Sequence, residues 1–358
     1  MKKYLVFLVL LMLFSCEEND ELFIVSAEKT IIVYMAADND LSNDALLNIK
    51  QMQQGYRETG VNFIVFIDAY DKAPYLLKIK ENTCDTIRSF SELNSANPQT
   101  FNTVLREIIQ RYPANNYGLV LWSHASSWLP AGAQLRSFGR DGNSEMNISE
   151  LAKALPVHFD YIVFDACLMA SVEALYELRG KTDYVIASSA ETLADGFPYT
   201  QLMPEFLQKN SSLRKIAEIY FDFYNRKENA ERSATIALID IRELGNLAKE
   251  MHKLMIENEA QAMDRLSVQR LDIFSEQYHF DLLDFVSQTF PQADKTHFIS
   301  QLNKTILYKA HTPQLLGMYD MNTYCGLSCY IPHPNRSDLS DYYKTLQWYD
   351  DAGIFKLF

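Results

Sequence analysis

Short apolar segments alternate with helical segments over roughly the first 200 residues, and this alternation constrains the fold more than any other feature. The apolar segments are rich in β-branched and aromatic residues. Strands that are apolar on both faces and alternate with helices are typical of a parallel, doubly wound sheet. The predicted strands are 30–35, 62–67, 118–122, 161–164 and 184–187, and the predicted helices are 44–58, 100–112, 149–155 and 168–179.

The rest of the chain continues without a clear domain boundary. Beyond residue 198 the pattern predicts helices, a strand at 235–239, a long helical stretch to about residue 262 and a late strand at 326–331. No internal repeat or low-complexity linker interrupts it. We therefore predict one α/β domain over residues 29–358, an open, mostly parallel β-sheet flanked by helices with a helical C-terminal elaboration. Two domains are the alternative.

Helix-capping residues mark the starts of two of the predicted helices. Asp40 and Ser42 precede the first helix, and Ser149 with Glu150 opens another. Short polar side chains of this type accept hydrogen bonds from the unpaired N–H groups of a first helical turn. We therefore interpret Asp40 and Ser42 as N-caps.

The amino terminus carries the features of an export signal. Lys2 and Lys3 precede the apolar run 4–14, which is shorter than the roughly 20 residues that a membrane-spanning helix needs. The residues Leu-Phe-Ser-Cys at 13–16 resemble the lipobox of bacterial lipoproteins, whose cysteine is acylated. We predict a signal peptide over 1–15, lipidation of Cys16 and an acidic tether over 16–28, in a protein anchored to a bacterial envelope membrane. An ordinary signal peptide with an incidental Cys16 is the alternative.

Charge and cysteine content exclude several classes of protein. The chain has 33 basic and 46 acidic residues, a net charge of −13, so binding to nucleic acid is not expected. Cys84, Cys167, Cys325 and Cys329 are too few for a disulfide framework in a chain of this length. No pattern of cysteine and histidine has the spacing of a zinc site, so we predict no metal site of that type.

Two successive predicted strands end in residues suited to nucleophilic catalysis. Strand 118–122 is followed by His124, and strand 161–164 by Cys167. Successive strands of such a sheet usually lie side by side, so we expect both side chains at the same edge. A predicted helix directly after Cys167 would lower the pKa of its thiol through the helix dipole. The pair is the minimum equipment of a cysteine peptidase, and a buried structural cysteine is the alternative.

The residues around this pair resemble the clostripain family of cysteine peptidases, within the wider group of caspases, gingipains and legumain. The resemblance implies a caspase-like fold and an endopeptidase in which Cys167 is the nucleophile and His124 the general acid and base. The most specific match is Phe-Asp-Ala-Cys-Leu-Met at 164–169. The matching segments run in order across nearly the whole mature chain, at 33–38, 121–124, 164–169, 187–199 and 326–332.

The resemblance also implies the oxyanion hole, formed by the backbone N–H of the residue after the histidine and that of the cysteine. These would be Ala125 and Cys167. The family usually has glycines after the histidine, whereas this chain has Ala125, Ser126 and Ser127. Alanine keeps the N–H group, but it would cost free energy if the loop required a positive φ at that position.

Two aspartates are candidates for substrate recognition. Asp165 lies two residues before Cys167 and would point to the same face of a strand, although a role as a helix cap is the alternative. Asp195 follows the next predicted strand. In clostripain-like enzymes, aspartates at these positions line the pocket for the residue before the cut, which implies a preference for arginine or lysine. Asp38 and Asp68 end two other strands and are interpreted as turn and cap residues.

The resemblance suggests self-activation in the polar loop 134–141. We predict cleavage after Arg136, with Arg140 as the second choice, and an ordinary basic loop as the alternative. The sequence thus predicts a monomeric endopeptidase that acts on proteins or peptides without a cofactor. A calcium requirement is left open, because no acidic loop has EF-hand spacing. The alternatives are a lipoprotein binding module without turnover and a thiol amidase acting on small amides.

Overall fold

The computed structural model describes residues 26–130 and 138–358. Its strands are β1 (Ala27–Ala37), β2 (Asn62–Ala69), β3 (Tyr75–Lys80), β4 (Thr83–Ser89), β5 (Ala114–Trp122), β6 (Phe138–Asp141), β7 (Ser144–Met146), β8 (Phe159–Asp165), β9 (Thr182–Ala187), β10 (Thr235–Asp240), β11 (Phe280–Asp281), β12 (Ile306–His311), β13 (Gln314–Leu315), β14 (Tyr319–Asp320) and β15 (Ser328–Cys329). Its α-helices are α1 (Ser42–Gly55), α2 (Pro98–Arg111), α3 (Ile148–Ala154), α4 (Val172–Glu177), α5 (Tyr199–Phe206), α6 (Leu213–Asn225), α7 (Leu244–Glu257), α8 (Leu282–Thr289), α9 (Thr296–Thr305), α10 (Ser337–Tyr343) and α11 (Gln347–Asp351).

Nine strands form one sheet in the order β12-β10-β9-β8-β5-β1-β2-β3-β4. The five central strands, from β9 to β2, are parallel. Two antiparallel strands extend the sheet at each edge. The prediction of an open, mostly parallel sheet flanked by helices is therefore confirmed.

The sheet is buried on both faces, as the apolar strands require. In β1, Ile32 and Tyr34 pack into a cluster with α2, α3, α4 and α7. Ile31 and Val33 point the other way, into a second cluster with α1, α5 and α6. Because the five central strands are parallel, their carboxyl ends lie together along one side of the sheet. The helices packed on both faces hold these strands in place.

Several local predictions differ from the structure. The helix after Cys167 begins at Val172 and not at 168, because Ser171 is the N-cap and accepts a hydrogen bond from the amide of Ala174. Helix α1 begins at Ser42, with Leu41 at the cap position and no side-chain cap. The N-cap roles predicted for Asp40 and Ser42 are therefore both wrong, since Ser42 is already the first residue of the helix.

Three further differences concern the ends and edges of elements. Helix α3 begins at Ile148, where the Glu150 carboxylate accepts a hydrogen bond from the Asn147 amide, so Ser149 is not its cap. The late strand predicted at 326–331 is only β15, which pairs with β11 outside the central sheet. The edge hairpin β3–β4 escaped the sequence analysis because β4 is largely exposed and polar.

Among the residues that the structure describes, no helix is long and apolar enough to cross a membrane. Among the described residues, Cys84, Cys167, Cys325 and Cys329 are free thiols.

Candidate active site

The candidate active site lies where β5 and β8 end. These strands are parallel neighbours, with Trp122 opposite Asp165. The chain leaves both strands at the same edge of the sheet, so His124 and Cys167 come to line one pocket of about 180 Å³. The other side of the pocket is formed by the segment after β9, including Thr192, Ala194 and Gly196.

Cys167 is half-buried in the loop between β8 and α4. Its Sγ accepts a hydrogen bond from the Thr192 amide at 3.3 Å and lies 3.5 Å from the Thr192 hydroxyl. The next residue, Leu168, has a left-handed backbone with φ 66°, and its amide donates to the Ala190 carbonyl at 2.9 Å. The sharp turn after the cysteine is thus held by the segment that follows β9.

The pKa of the Cys167 thiol is raised by burial, and the hydrogen bonds from Thr192 offset only part of this effect. The predicted lowering by a helix dipole does not apply, since α4 has six residues and begins five positions after the cysteine. A thiol with a raised pKa needs a nearby base to take its proton.

The His124 imidazole is paired with a carboxylate from another part of the chain. Its Nε2 lies 3.0 Å from Oδ1 of Asp40, in the connection between β1 and α1. The same oxygen accepts a hydrogen bond from Nη1 of Arg140 at 2.9 Å. The His124 imidazole is therefore oriented by Asp40, a side chain whose sequence position predicts a helix cap.

Asp165 places a buried carboxylate in the pocket. Its Oδ2 accepts hydrogen bonds from the Phe197 amide at 3.1 Å and the Tyr199 hydroxyl at 2.9 Å. Burial raises the pKa of Asp165 to about 6, against the lowering effect of these two bonds. A pKa of about 6 still leaves the side chain mostly ionised at neutral pH, with a negative charge beside Cys167.

Asp195 has a different position from Asp165. Its side chain is exposed, and it does not contribute to the pocket, although its neighbours Ala194 and Gly196 do. The Asp195 carbonyl accepts a hydrogen bond from the Asn48 side chain at 3.1 Å. The structure thus places Asp165 in the same pocket as Cys167 and His124 and leaves the carboxylate of Asp195 at the rim.

The loop after His124 turns without the glycines that the family usually has at these positions. Within residues 123–130 the left-handed conformation falls on Ser127, with φ 66°, and not on Ala125. Ala125 instead forms an isolated antiparallel bridge with Phe138. The alanine therefore carries no backbone strain, and its N–H remains a candidate oxyanion donor.

Of the two candidate cleavage sites, the described residues include only Arg140. Arg136 lies outside the described residues, as do Cys16 and the leader. Arg140 lies in β6, where its amide donates to Ser123 Oγ at 3.2 Å and its carbonyl accepts from Asn39 at 2.7 Å. Because both backbone groups of Arg140 are bonded, cleavage there would first require β6 to detach.

Sequence reasoning missed three residues at this site: Asp40, Asn48 and Thr192. Asp40 follows the motif at 33–38 and could have been noticed because it lies just beyond a strand end. The hydrogen bonds of Asn48 and Thr192 depend on tertiary packing and left no signal. Within residues 26–130 and 138–358, no three His, Cys, Asp or Glu side chains are grouped as metal ligands.

Known proteins resemble this chain in sequence and in fold. Clostripain of Hathewaya histolytica is 26% identical over 220 residues, which are 48% of this chain and 41% of clostripain. The match thus spans less than half the length of that relative. A family model described as Peptidase_C11, the clostripain family, matches residues 33–353.

Two solved structures share the fold over almost their whole length. An inactive zymogen of a C11 protease from Parabacteroides distasonis is 30% identical, with a TM-score of 0.81 over 91% of this chain and 98% of that chain. A secreted C11 cysteine protease from Bacteroides thetaiotaomicron, in complex with an irreversible peptide inhibitor, is 28% identical, with a TM-score of 0.81 over 91% and 99%. The caspase-like fold is confirmed, and because the family model spans residues 33–353, this chain belongs to the clostripain family.

Proposed function

We propose that this protein is an exported, lipid-anchored cysteine endopeptidase that cleaves proteins or peptides after arginine or lysine. The observation that carries the proposal is the buried carboxylate of Asp165 in the same pocket as Cys167 and His124. The similar Bacteroides protease is secreted and was solved with a peptide inhibitor, which supports export and a peptide substrate.

The proposed reaction uses Cys167 and His124 as a dyad. His124 takes the thiol proton as Sγ attacks the carbonyl carbon, and the electron pair of the C=O bond moves to the oxygen. The backbone N–H groups of Ala125 and Cys167 stabilise that oxyanion. When the C–N bond breaks, His124 gives the proton to the leaving amine. Water then hydrolyses the thioester and restores the thiol.

Specificity for a basic residue follows from the charge in the pocket. Both hydrogen bonds to Asp165 from described residues engage Oδ2, which leaves Oδ1 for a guanidinium or ammonium group. A buried carboxylate is costly without a cationic partner, so a substrate that supplies one binds with charge-assisted hydrogen bonds. We propose that Asp195, at the rim, contributes a second negative charge once a substrate is bound.

Export and anchoring are proposed from the amino terminus. Cleavage of the signal peptide 1–15 would expose Cys16 for lipidation, and residues 16–28 would serve as the tether. The protein would act as a monomer, without a cofactor, on the periplasmic or outer side of a bacterial envelope membrane. Replacing Cys16 with alanine should release the protein from membrane fractions, and retention of the variant would argue against the anchor.

Self-cleavage is proposed after Arg136. Arg140 is the weaker candidate because its backbone is bonded within β6. Mass spectrometry of the active enzyme should find a new carboxyl terminus at Arg136 that is lost in Arg136→Ala. Detection of only intact mature chain in fully active enzyme would contradict self-cleavage.

The activity is tested with matched fluorogenic peptides ending in Arg, Lys or Asp, using the chain from about residue 22 beside its Cys167→Ala variant. Turnover of the Arg or Lys peptide that disappears in the variant is expected. Turnover of the Asp peptide alone would keep the nucleophile and overturn the assignment of the pocket. If a folded protein cleaves none of the three peptides, a binding module without catalytic activity is favoured.

A further inference from the structure

Asp40 joins two side chains that come from different parts of the chain. Its Oδ1 lies 3.0 Å from Nε2 of His124 and 2.9 Å from Nη1 of Arg140. Asp40 follows β1, His124 follows β5, and Arg140 lies in β6. Tertiary structure therefore brings one carboxylate to the imidazole that lines the pocket.

The Asp40 carboxylate contributes little to the stability of the fold. It does not cap α1, and the local turn is made by Asn39, whose Oδ1 accepts a hydrogen bond from the Leu41 amide at 2.9 Å. The Asp40 side chain is 65% exposed. Ion pairs as exposed as this contribute little to the stability of a protein.

We propose that Asp40 is a positioning residue for His124, so that the dyad works as a Cys167–His124–Asp40 group. This inference rests on the proposed peptidase function. A carboxylate at Nε2 fixes the ring orientation and places a proton on that nitrogen. The proton that moves between thiol and leaving amine is then carried by Nδ1.

Asp40 also stabilises the imidazolium that forms when His124 takes the thiol proton. The pKa of Asp40 is lowered, because the hydrogen bond and charge of His124 and the charge of Arg140 outweigh its partial burial. The lowered pKa favours the ionised carboxylate at neutral pH. Arg140 shares the same oxygen and weakens the attraction between Asp40 and the imidazolium.

The test compares Asp40→Asn with Asp183→Asn. The control breaks a second exposed histidine–aspartate pair, in which Asp183 Oδ1 lies 3.1 Å from His158 Nε2. We expect kcat of Asp40→Asn for the Arg peptide to fall about 10- to 100-fold with KM within twofold, as part of the roughly 10²–10⁴-fold that a positioned acid–base group supplies. The control should match the wild type, and both variants should keep Tm within about 2 °C.

Two further measurements separate positioning from packing. By NMR titration, the pKa of His124 should fall by about one pH unit in Asp40→Asn and rise in Arg140→Gln. Arg140→Gln should keep kcat within about threefold. A kcat of Asp40→Asn within twofold of the wild type, or an equal loss in Arg140→Gln, would overturn the inference. An inactive wild type would refute the proposed function, while the titration would still decide whether Asp40 controls His124.

Discussion

Asn48 of α1 donates a hydrogen bond of 3.1 Å from its side-chain amide to the backbone carbonyl of Asp195. The oxygen of the same amide accepts a hydrogen bond from the Trp122 indole at 2.8 Å. Asn48 is buried, so both bonds form away from water. One side chain therefore connects the end of β5, which leads into His124, with the turn that forms the rim of the pocket.

Replacing Asn48 with alanine should loosen that turn. We expect KM for the Arg peptide to rise roughly tenfold, because the pocket wall is no longer held in place. The free energy of unfolding should fall by about 2 kcal/mol, since the Trp122 N–H loses its partner. Asn246→Ala, at an exposed position of α7, is the control. An unchanged KM in a folded Asn48→Ala protein would contradict the connection.

The two aspartates should differ in their contribution to specificity. Asp165→Asn should lower kcat/KM for Arg and Lys peptides about 100-fold, because a charge-assisted hydrogen bond is worth about 1.5–3 kcal/mol and the buried charge is lost. Asp195→Asn should lower it less than tenfold, since that carboxylate is exposed. The measurement is kcat/KM of the two variants for the Arg and Lys peptides. A larger loss in Asp195→Asn would show that Asp195, and not Asp165, is the main determinant of specificity.

Asp165 should also make the stability of the protein depend on pH. Its pKa is about 6 in the folded protein and about 3.9 in an unfolded chain, so the protonated form favours folding. This contribution, about 3 kcal/mol, is complete below about pH 4 and is lost as the pH rises through 6. Asp165→Asn should therefore be more stable than the wild type in urea at pH 7.5 and equal to it at pH 4. The same difference at both pH values would disprove this.

Gly196 should tolerate no side chain. It has φ 68°, and a Cβ there would lie 2.9 Å from both Asn48 Oδ1 and Asp165 Oδ2. Gly60 is a matched control, with φ 77° and, beyond its two chain neighbours, no atom of a described residue within 4 Å of its Cβ position. Gly60→Ala should cost only the backbone strain, about 1–2 kcal/mol, and leave activity intact. Gly196→Ala should cost more and abolish cleavage of the Arg peptide; equal losses of stability in both variants would show that the contacts do not matter.

The hydrogen bonds from Thr192 should stabilise the thiolate form of Cys167. Thr192→Val removes the hydroxyl 3.5 Å from Sγ while preserving side-chain shape, so the pKa of the thiol should rise further. Alkylation of Cys167 by iodoacetamide at pH 7.5 should slow about three- to tenfold, because only the thiolate reacts. Cys84 in the same molecule is the internal reference, and Thr103→Val at an exposed position of α2 is the matched control. An unchanged ratio of the two cysteine rates would exclude this role.

The sheet was predictable because the pattern of its central strands is local. Ile31 and Ile32 are both apolar since β1 is buried on both faces, and strands that follow one another in such a fold lie side by side. The same rules brought His124 and Cys167 to one edge of the sheet and placed Asp165 beside them.

The loops were less predictable because distant contacts decide their conformation. After Cys167 the sequence favours a helix, but the amide of Leu168 bonds to Ala190 and that of Ala170 to Ser188, and the helix is delayed to Val172. Asp40 resembles a helix cap, yet its partner His124 lies 84 positions along the chain. No local sequence pattern predicts a hydrogen bond between residues so far apart in the chain.

The seam between β5 and β8 runs through the middle of the nine-stranded sheet, and the chain segment that contains Arg136 connects these two strands. A cut there would place β1 to β5 on one polypeptide and the later strands on another. An uncut chain refolds as a first-order process, whereas two separate polypeptides must first meet, so their recovery depends on concentration. Maturation would then be a one-way event: a denatured, dilute sample of the processed enzyme would not regain its structure, although its precursor could.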